Sequence, residues 1–444
     1  MVHQLRLLCS HKKTDTRLRD GAQVAVIGGG PAGCFFALHL LRYARLEGIR
    51  LQVTVFELRD FSQAGPRGCG KCAGLLSSNL QRNLRSFGLS LPAPVIQNKI
   101  DSYVMYLADE SVEIFSPVTG REITSVYRSR GPRLAPLGRE VSFDEWLLKE
   151  AEQAGTHIVR MTVQKLIAAE RPIAQVRNQD YPFDLVVLAN GVNARRLPIS
   201  DFNYQPPRTK MLVQDELNQH SGDSRQVHIY FDHPKGAVFG AVVPKGSMTN
   251  ISLLGRNLGR DAVGNFMAET GVGQGYRRLC GCHSRITVSI ARGYYADRFV
   301  AVGDAATSRL YKDGIGTAFE TARRAAYTAI YHGIRASDFR CHYAPLCRMI
   351  ALDNFFGRLL FNAWSMIART PTLVQLWLRV LEYELALPNE ARRCRQALWN
   401  MFTGDDNYRH IFFSLVHPRV LWLLFNLAWQ LWVRRDPGQA LRRR

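Results

Sequence analysis

The chain has 444 residues, of which 46% are hydrophobic, so it is too long for one simple core and is expected to fold as two domains or one large composite. Lysine and arginine number 58 against 37 acidic residues, a net charge of +21. This excess predicts an anionic partner. Because no recognisable nucleic-acid module accompanies it, we expect an anionic membrane surface and no nucleic acid.

The nine cysteines and the first twenty residues bear on the cellular compartment. The cysteine count is odd, and residues 1–20 form a polar, basic leader without the apolar segment of a secretory signal. These features favour a reducing cytosolic location.

A short apolar run, Val24 to Ile27, breaks into a glycine-rich turn and predicts a buried parallel strand. The turn has the glycine spacing of a dinucleotide-binding fingerprint. Its glycines allow a tight turn, close approach of a pyrophosphate and close helix packing. The predicted helix runs from Pro31 to Tyr43, with its positive end toward the phosphates. The predicted cofactor-binding residues of this turn are Gly28, Gly30, Pro31, Ala32 and Gly33.

A second predicted strand, Leu51 to Phe56, ends at Glu57, which is followed by Leu58. An acidic residue at this place in a βαβ unit binds a ribose hydroxyl. We therefore assign Glu57 and Leu58 to the cofactor site.

The middle of the chain alternates between helical and strand patterns. A loop rich in glycine and cysteine leads to a predicted helix from Ser77 to Phe87, and Phe143 begins another that reaches Ala154. Residues 95–130 and 205–290 have the alternation typical of antiparallel strands. Phe183 to Ala189 is a buried strand that leads into Asn190 and Gly191.

A second nucleotide signal lies at residues 299–316. An apolar strand ends in Gly303-Asp304, and Gly314-Ile315-Gly316 opens a predicted helix that reaches His332. An aspartate at a strand end accepts hydrogen bonds from ribityl hydroxyls. A helix N-terminus stabilises negative charge on a reduced flavin ring.

Together the two motifs resemble those of FAD flavoproteins of the glutathione-reductase and hydroxylase type. Arg139, four residues before Phe143-Asp144, matches an arginine that precedes a helix in these enzymes. The resemblance implies an FAD cofactor and adds Arg139 to the residues that bind it. Asn190 stands where relatives usually carry aspartate, a departure that keeps the tight turn and removes a charge.

The loop at residues 66–77 narrows the resemblance to geranylgeranyl reductases, which carry a cysteine- and glycine-rich loop ending in Gly-Leu-Ser. The segment around Tyr230 and Pro244 resembles their aromatic-proline segment but lacks its tryptophan and phenylalanine. In that family reduced flavin delivers hydride to an isoprenoid double bond, and the protein supplies orientation and an apolar tunnel. We predict Cys69 and Cys72 as the catalytic residues. Their Cys-x-x-Cys spacing also permits a redox disulfide or half a metal site, and no metal is expected.

The predicted fold class is α/β, with a Rossmann-like FAD-binding domain interleaved with an antiparallel β-sheet substrate domain, plus a helical C-terminal region. A basic leader covers residues 1–20. The FAD-binding domain comprises 21–95, 135–200 and 291–340, the substrate domain 96–134 and 201–290, and the helical region 341–444.

The stretch from Val420 to Val433 is nearly continuously apolar and contains three tryptophans flanked by arginines. A bilayer crossing takes about 20 residues, so this shorter stretch predicts monotopic attachment to a membrane surface. A helical core or a dimer interface is the alternative.

The leading hypothesis is an FAD-dependent reductase of an isoprenoid or other lipid, with NADPH or another reductant as electron donor. One alternative is a flavin monooxygenase or halogenase acting on a small aromatic molecule. The other is a non-catalytic membrane adaptor that retains the FAD fold. The sequence does not determine the oligomeric state.

Overall fold

The computed structural model describes residues 16–65, 68–69, 73–107, 110–118, 120–134, 142–194, 196–218, 223, 225–233, 236–255, 258–259 and 261–433. Its helices are α1 Pro31–Leu46, α2 Ser78–Phe87, α3 Phe143–Gln153, α4 Ala262–Thr270, α5 Gly314–Tyr331, α6 Ala336–His342, α7 Ala344–Ala368, α8 Pro371–Leu385, α9 Arg393–Thr403, α10 Tyr408–Leu415 and α11 Pro418–Val433.

Twenty strands accompany these helices in the described part of the chain. They are β1 Gln23–Ile27, β2 Gln52–Phe56, β3 Leu75–Leu76, β4 Ile96–Ile100, β5 Ser102–Leu107, β6 Glu110–Phe115, β7 Ile123–Val126, β8 His157–Val159, β9 Lys165–Ile167, β10 Ile173–Val176, β11 Gln179–Pro182, β12 Leu185–Leu188, β13 Ile199–Ser200, β14 Thr209–Leu217, β15 Gln226–Tyr230, β16 Ala237–Lys245, β17 Met248–Gly255, β18 Cys282–Thr287, β19 Tyr295–Ala296 and β20 Phe299–Ala301.

A six-stranded sheet in the order β19-β20-β12-β1-β2-β8 forms the Rossmann-like part of the molecule. All its neighbouring strands are parallel except β19 and β20. In the central strand, Val26 lies opposite Val55 of β2 and Val187 of β12. The near-continuous apolar runs predicted as parallel strands are therefore explained by burial on both faces.

Helix α1 packs against α5, where the rings of Phe35 and Phe319 meet edge to face with centroids 5.1 Å apart. The two glycine motifs of the sequence thus lie at the N-termini of two helices that pack on each other. This packing joins residues almost 300 positions apart into one region.

A seven-stranded sheet in the order β18-β14-β17-β16-β15-β5-β6 forms the second layer. All pairs are antiparallel except β15 with β5. Its strands come from two chain segments separated by α3 and by strands β8 to β13. Two smaller sheets, β11-β10-β9-β13 and β3-β7-β4, complete the described strands.

The predicted fold class is confirmed: a parallel sheet with packed helices is interleaved with an antiparallel sheet, and helices follow. The exact domain boundaries stay a prediction. Strands β4 and β7 lie inside the range predicted for the substrate domain, but they do not pair with the large sheet. They form a separate sheet in which β7 pairs with β4 on one side and with β3 of the cysteine-rich loop on the other. Arg139, Cys72 and most of the predicted basic leader lie outside the described residues.

The C-terminal helices pack on one face of the seven-stranded sheet. Leu212, Phe239 and Leu254 of the sheet share a core with Trp364 of α7 and Trp399 of α9. No single helix in the described residues is long and apolar enough to cross a membrane. Tyr408–Leu415 and Pro418–Leu431, bent by 49° at the break between them, reach that length and composition only together.

Candidate functional site

One cavity of about 870 Å³ lies between the glycine turn, the start of α5 and the seven-stranded sheet. Nine of its lining residues were predicted from the sequence motifs as cofactor-binding residues, and one was predicted as catalytic. These ten are Gly28, Gly30, Pro31, Ala32, Glu57, Leu58, Cys69, Asp304, Gly314 and Ile315. The tertiary fold therefore brings the two motifs to a single site.

The three glycines of the first motif have different surroundings. A Cβ on Gly28 would lie 2.7 Å from the carbonyl oxygen of Ala189, and one on Gly33 only 1.9 Å from that of Gly28. A Cβ on Gly30 would meet nothing closer than 3.9 Å, and the backbone of Gly30 (φ −72°, ψ −176°) suits any residue. Gly28 and Gly33 are thus required by the fold, whereas the space beside Gly30 is open to a ligand.

Glu57 is buried at the end of β2 and is held by its own protein neighbours. Its carboxylate accepts a hydrogen bond from the backbone N–H of Gly29 at 2.9 Å, and it pairs with the guanidinium of Arg59 at 3.1 Å. Arg59 lines the cavity as well. Glu57, for which a ribose-binding role is predicted, therefore lines the cavity and is oriented by a turn residue and by an arginine that the sequence motif did not indicate.

Asp304 follows β20 and lines the cavity. Burial raises its pKa, and a hydrogen bond from Ser308 opposes that shift. The preceding Gly303 has φ +59°, and its N–H donates to the hydroxyl of Thr321 of α5 at 2.9 Å. A Cβ on Gly303 would lie 2.6 Å from the Cβ of Ala32, so this glycine allows the two motifs to approach each other.

The start of α5 is built on strained backbone. Tyr311 and Asp313 both have positive φ, at +63° and +53°. Asp313 precedes Gly314, the first residue of the helix, and its carboxylate accepts a hydrogen bond from Ser77 at 2.9 Å. Burial raises the pKa of Asp313 to about 7, opposed by Arg309. Such strain in a non-glycine backbone concentrates at functional sites.

Gly316 does not line the cavity but allows the strained turn to form. A Cβ there would lie 2.4 Å from the carboxylate of Asp313. The predicted binding residues Gly33, Gly303 and Gly316 therefore act through packing, while Gly314 and Ile315 face the cavity.

Arg128 was not predicted, although it lines the cavity. It forms a buried ion pair with Asp144 at the start of α3. Asp144 belongs to the same motif that suggested Arg139. In the described part of that motif, Asp144 holds Arg128 at the cavity wall. The signal available from the sequence was the aspartate, whose partner could not be identified without the fold.

Cys69 lines the cavity, and Cys72 lies outside the described residues. The Cys280 thiol has a pKa raised by burial and, among smaller effects, by the nearby Cys69. The end of the same loop is anchored to the C-terminal region, because the Ser78 hydroxyl donates to the carboxylate of Asp405 at 2.7 Å. No group of three potential metal ligands occurs among the described residues.

One face of the seven-stranded sheet forms the apolar wall of the cavity. Alternate residues of β16 point to this face, as the two-residue period of a strand requires. They are joined by residues of β14, β17 and β18. The wall consists of Leu212, Phe239, Ala241, Val243, Leu254 and Ile286.

These features fit an FAD molecule. The open space beside Gly30 and the first N–H groups of α1 suit a pyrophosphate. Glu57 suits a ribose, Asp304 a ribityl chain and the N-terminus of α5 the flavin ring.

No family model and no curated protein matches the sequence. The structure, in contrast, has many similar solved structures. One is a geranylgeranyl bacteriochlorophyll reductase-like protein from Thermoplasma acidophilum, with 16% sequence identity and a TM-score of 0.61, which covers 92% of this chain and 100% of that chain.

Two further structures have related descriptions. A flavoprotein/dehydrogenase from Cytophaga hutchinsonii has 14% identity and a TM-score of 0.59, over 93% of this chain and 100% of that chain. A flavin-dependent brominase has 13% identity and a TM-score of 0.55, over 91% and 93%. The resemblance predicted from the motifs is thereby confirmed for the fold: this chain has the architecture of the FAD-dependent flavoproteins, a geranylgeranyl reductase-like protein among them.

Proposed function

We propose that the protein is an FAD-dependent oxidoreductase that reduces a carbon–carbon double bond of an isoprenoid or other long-chain lipid. The observation that carries this proposal is the cavity itself. Residues suited to FAD occupy one side, and an apolar sheet face occupies the other. A long apolar substrate would lie along that face, beside the start of α5.

Bound FAD, once reduced by NADPH or another reductant, would supply a hydride to the double bond, and a proton would complete the saturation. The chain's own residues would bind the cofactor and the substrate and orient them relative to each other. Glu57 and Asp304 would hold the two ends of the cofactor, and the apolar wall would exclude water from the reacting bond. Cys69, on the cavity wall, is the described cysteine best placed to contact the substrate.

We further propose that the protein works at a membrane surface. Helix α11 carries an exposed apolar face, in which Trp422 is 66% and Phe425 67% exposed. Helix α7 adds Met349, Leu352 and Phe355, which are also exposed and spaced three residues apart. The ring of Phe355 meets that of Phe356 edge to face, and the Phe356 ring contacts Phe413 of α10. An interfacial helix of this kind, in a chain with a large positive charge, suits anionic lipid.

The test is anaerobic reoxidation of the protein's own flavin. Protein purified under mild conditions is examined for a flavin absorbance spectrum and then reduced with dithionite. The expected result is reoxidation by a polyprenyl alcohol or polyprenyl diphosphate, with a saturated bond in the recovered lipid. The matched control is the fully saturated alcohol, which must leave the flavin reduced. Absence of bound flavin, or reduced flavin that no unsaturated lipid reoxidises, would contradict the proposal.

A flavin monooxygenase or halogenase is the second candidate. The similarity over nine-tenths of this chain to a flavin-dependent brominase favours keeping it. In that case reduced flavin would consume oxygen, and a small aromatic substrate would gain a hydroxyl or a halogen. Oxygen uptake measured with NADPH and substrate together separates this candidate from the reductase, which transfers its hydride without oxygen.

A further inference from the structure

Lys312 is a cation in the cavity that the proposed reaction does not use. It lies between the two strained residues Tyr311 and Asp313 and lines the cavity. Its ammonium is 4.8 Å from the centroid of the Phe239 ring, on the apolar wall. Burial lowers the pKa of Lys312 to about 8. Among the described residues no carboxylate forms an ion pair with its Nζ.

The other cations of the cavity and its wall differ from Lys312. Arg59 pairs with Glu57 and Arg128 with Asp144. The Lys210 ammonium donates to the Tyr311 hydroxyl, and Arg309 donates to the backbone carbonyl of Gly404. Arg196 and Arg285 also line the cavity, but their residues are exposed to solvent.

The Lys312 side chain is partly buried, and its ammonium lies at the cavity beside an aromatic ring and has no carboxylate partner among the described residues. Such a group is costly unless an opposite charge compensates it. A cation–π contact returns only part of that cost. A partly desolvated cation on a cavity wall therefore suits an anionic group of a ligand.

The glycine turn already supplies a site for the pyrophosphate of a dinucleotide. Lys312 instead contacts Phe239, whose ring also stacks near Phe361 of α7 at 5.9 Å. The ammonium thus lies where the apolar wall passes under the C-terminal helices. A ligand that meets it there also meets the sheet face.

Building on the proposed function, we infer that Lys312 binds the anionic head group of an amphiphilic substrate whose chain lies along the apolar wall. A carboxylate and a phosphate share the required chemistry, because both accept charge-assisted hydrogen bonds from an ammonium. Lys312 is thereby a residue that determines specificity, selecting acidic over neutral lipids.

Binding of a fluorescent polyene fatty acid, cis-parinaric acid, tests this inference, with parinaryl alcohol as the neutral probe. We expect Lys312→Met to weaken binding of the acid about tenfold or more and to leave binding of the alcohol within about twofold. Lys312→Arg retains the charge and should keep affinity for the acid. Dodecyl phosphate and dodecanoate, used as competitors, distinguish a phosphate from a carboxylate head group.

Lys210→Met is the matched control, since it removes a neighbouring cation that is already bonded to Tyr311. It should leave the preference for the acid unchanged. Unchanged acid binding in Lys312→Met, or an equal loss for the acid and the alcohol, would overturn the inference. So would a shifted flavin spectrum in Lys312→Met without a loss of acid binding, because the ammonium would then serve the cofactor.

Flavin content, measured by absorbance in every variant, separates this inference from the proposed function. If the protein lacks flavin yet prefers the acid through Lys312, the redox proposal fails and the head-group assignment stands. If flavin is bound and reoxidised by lipid, but Lys312→Met keeps the preference for the acid, the redox proposal stands and the head-group assignment fails. Circular dichroism confirms that each variant is folded.

Discussion

Helices α1 and α11 have the same length, 16 residues, and each begins with a proline. Ten consecutive residues of α1, Pro31–Leu40, are buried between the parallel sheet and its neighbouring helices. In α11 only Val420 is buried among the side chains that the structure describes, and Leu421, Trp422, Phe425 and Trp429 are each at least 50% exposed.

The difference shows that apolar composition does not decide where a helix lies. Helix α1 is enclosed because β1, α3 and α5 supply matching surfaces on several sides. Helix α11 has a surface to pack on along one side, and its other side presents large aromatic residues to the exterior. An exposed face of this size marks a site of interaction. Substitutions at enclosed positions of α1 should therefore reduce the stability of the fold, whereas substitutions on the exposed face of α11 should reduce binding to a partner surface.

The largest expected effect is that of Gly33→Ala in α1. The new Cβ would lie 1.9 Å from the carbonyl oxygen of Gly28, which is backbone and cannot move without displacing β1. We expect the free energy of unfolding to fall by about 3 kcal/mol or more. Urea unfolding followed by circular dichroism measures it, and a fully stable variant would contradict the described turn.

Gly30→Ala, three residues earlier, should spare the fold and weaken cofactor binding. The new methyl group meets no protein atom closer than 3.9 Å, but it would occupy the space where a pyrophosphate approaches the backbone. We expect roughly a hundredfold weaker binding of FAD, about 2.7 kcal/mol, with an unchanged urea midpoint. Retention of flavin by this variant would refute the placement of the phosphates.

In α11 the double substitution Trp422→Ala, Phe425→Ala should leave the fold intact and release the protein from membranes. Each ring is two-thirds exposed, so its loss changes the free energy of unfolding by only about 0.5 kcal/mol. If both rings enter lipid, binding to anionic vesicles weakens about a hundredfold, at about 1.5 kcal/mol for each ring. Co-sedimentation with anionic and with neutral vesicles measures this. Undiminished binding would show that another surface meets the membrane.

The buried His39 of α1 is expected to make the stability of the fold depend on pH. Its ring is 3% exposed, neither nitrogen has a hydrogen-bond partner, and the rings of Phe87 and Phe319 lie within 5 Å. Burial lowers its pKa from 6.5 to about 3. The unfolded chain therefore binds a proton that the folded chain does not, and stability falls as the pH drops from about 6.5 toward 3.

His39→Phe should remove this contribution. Relative to the variant, the parent chain is expected to lose about 2 kcal/mol between pH 6.5 and pH 5, at about 1.4 kcal/mol per pH unit. Urea unfolding at the two pH values gives the difference. His157→Gln, which replaces an exposed histidine of β8, is the control and should keep the parent's dependence. Identical slopes for His39→Phe and the parent would contradict the effect.

The smallest expected effect compares two leucines. Leu421 of α11 and Leu46 at the end of α1 are 50% and 69% exposed. If α11 faces lipid, Leu421→Ala weakens vesicle binding about tenfold, a little over 1 kcal/mol, whereas Leu46→Ala leaves it unchanged. Equal effects would mean that exposed leucines anywhere on the surface promote association.

Much of the fold could be predicted from the sequence because its signals are local. The glycine spacing at Gly28, Gly30 and Gly33 indicated a strand, a turn and a helix, and α1 begins at Pro31 as expected, although it continues to Leu46. Ser77 was expected to begin a helix, and it caps α2 by accepting a hydrogen bond from the N–H of Leu80. Such signals depend on periodicity and on backbone geometry within a few residues.

Contacts between segments far apart in the chain could not be predicted from such local sequence signals. Asp353 of α7 caps the N-terminus of α10 by accepting hydrogen bonds from the N–H groups of Tyr408 and Arg409, more than fifty residues away. The partner of Asp144 proved to be Arg128, and Lys312 gave no signal beyond its position next to the second glycine motif. A charge has no periodicity, so its partner emerges only when the chain is folded.

The sequence by itself determined the two ends of a cofactor site, because glycine spacing, strand runs and a terminal acid are constraints that a short segment expresses alone. Only the tertiary structure decided that these ends share one cavity with an apolar sheet face, that α1 is enclosed while the equally long α11 is not, and that Lys312 lies without a carboxylate partner among the described residues. The physical reason is that burial and pairing are properties of what surrounds a residue, and segments far apart in the chain supply those surroundings.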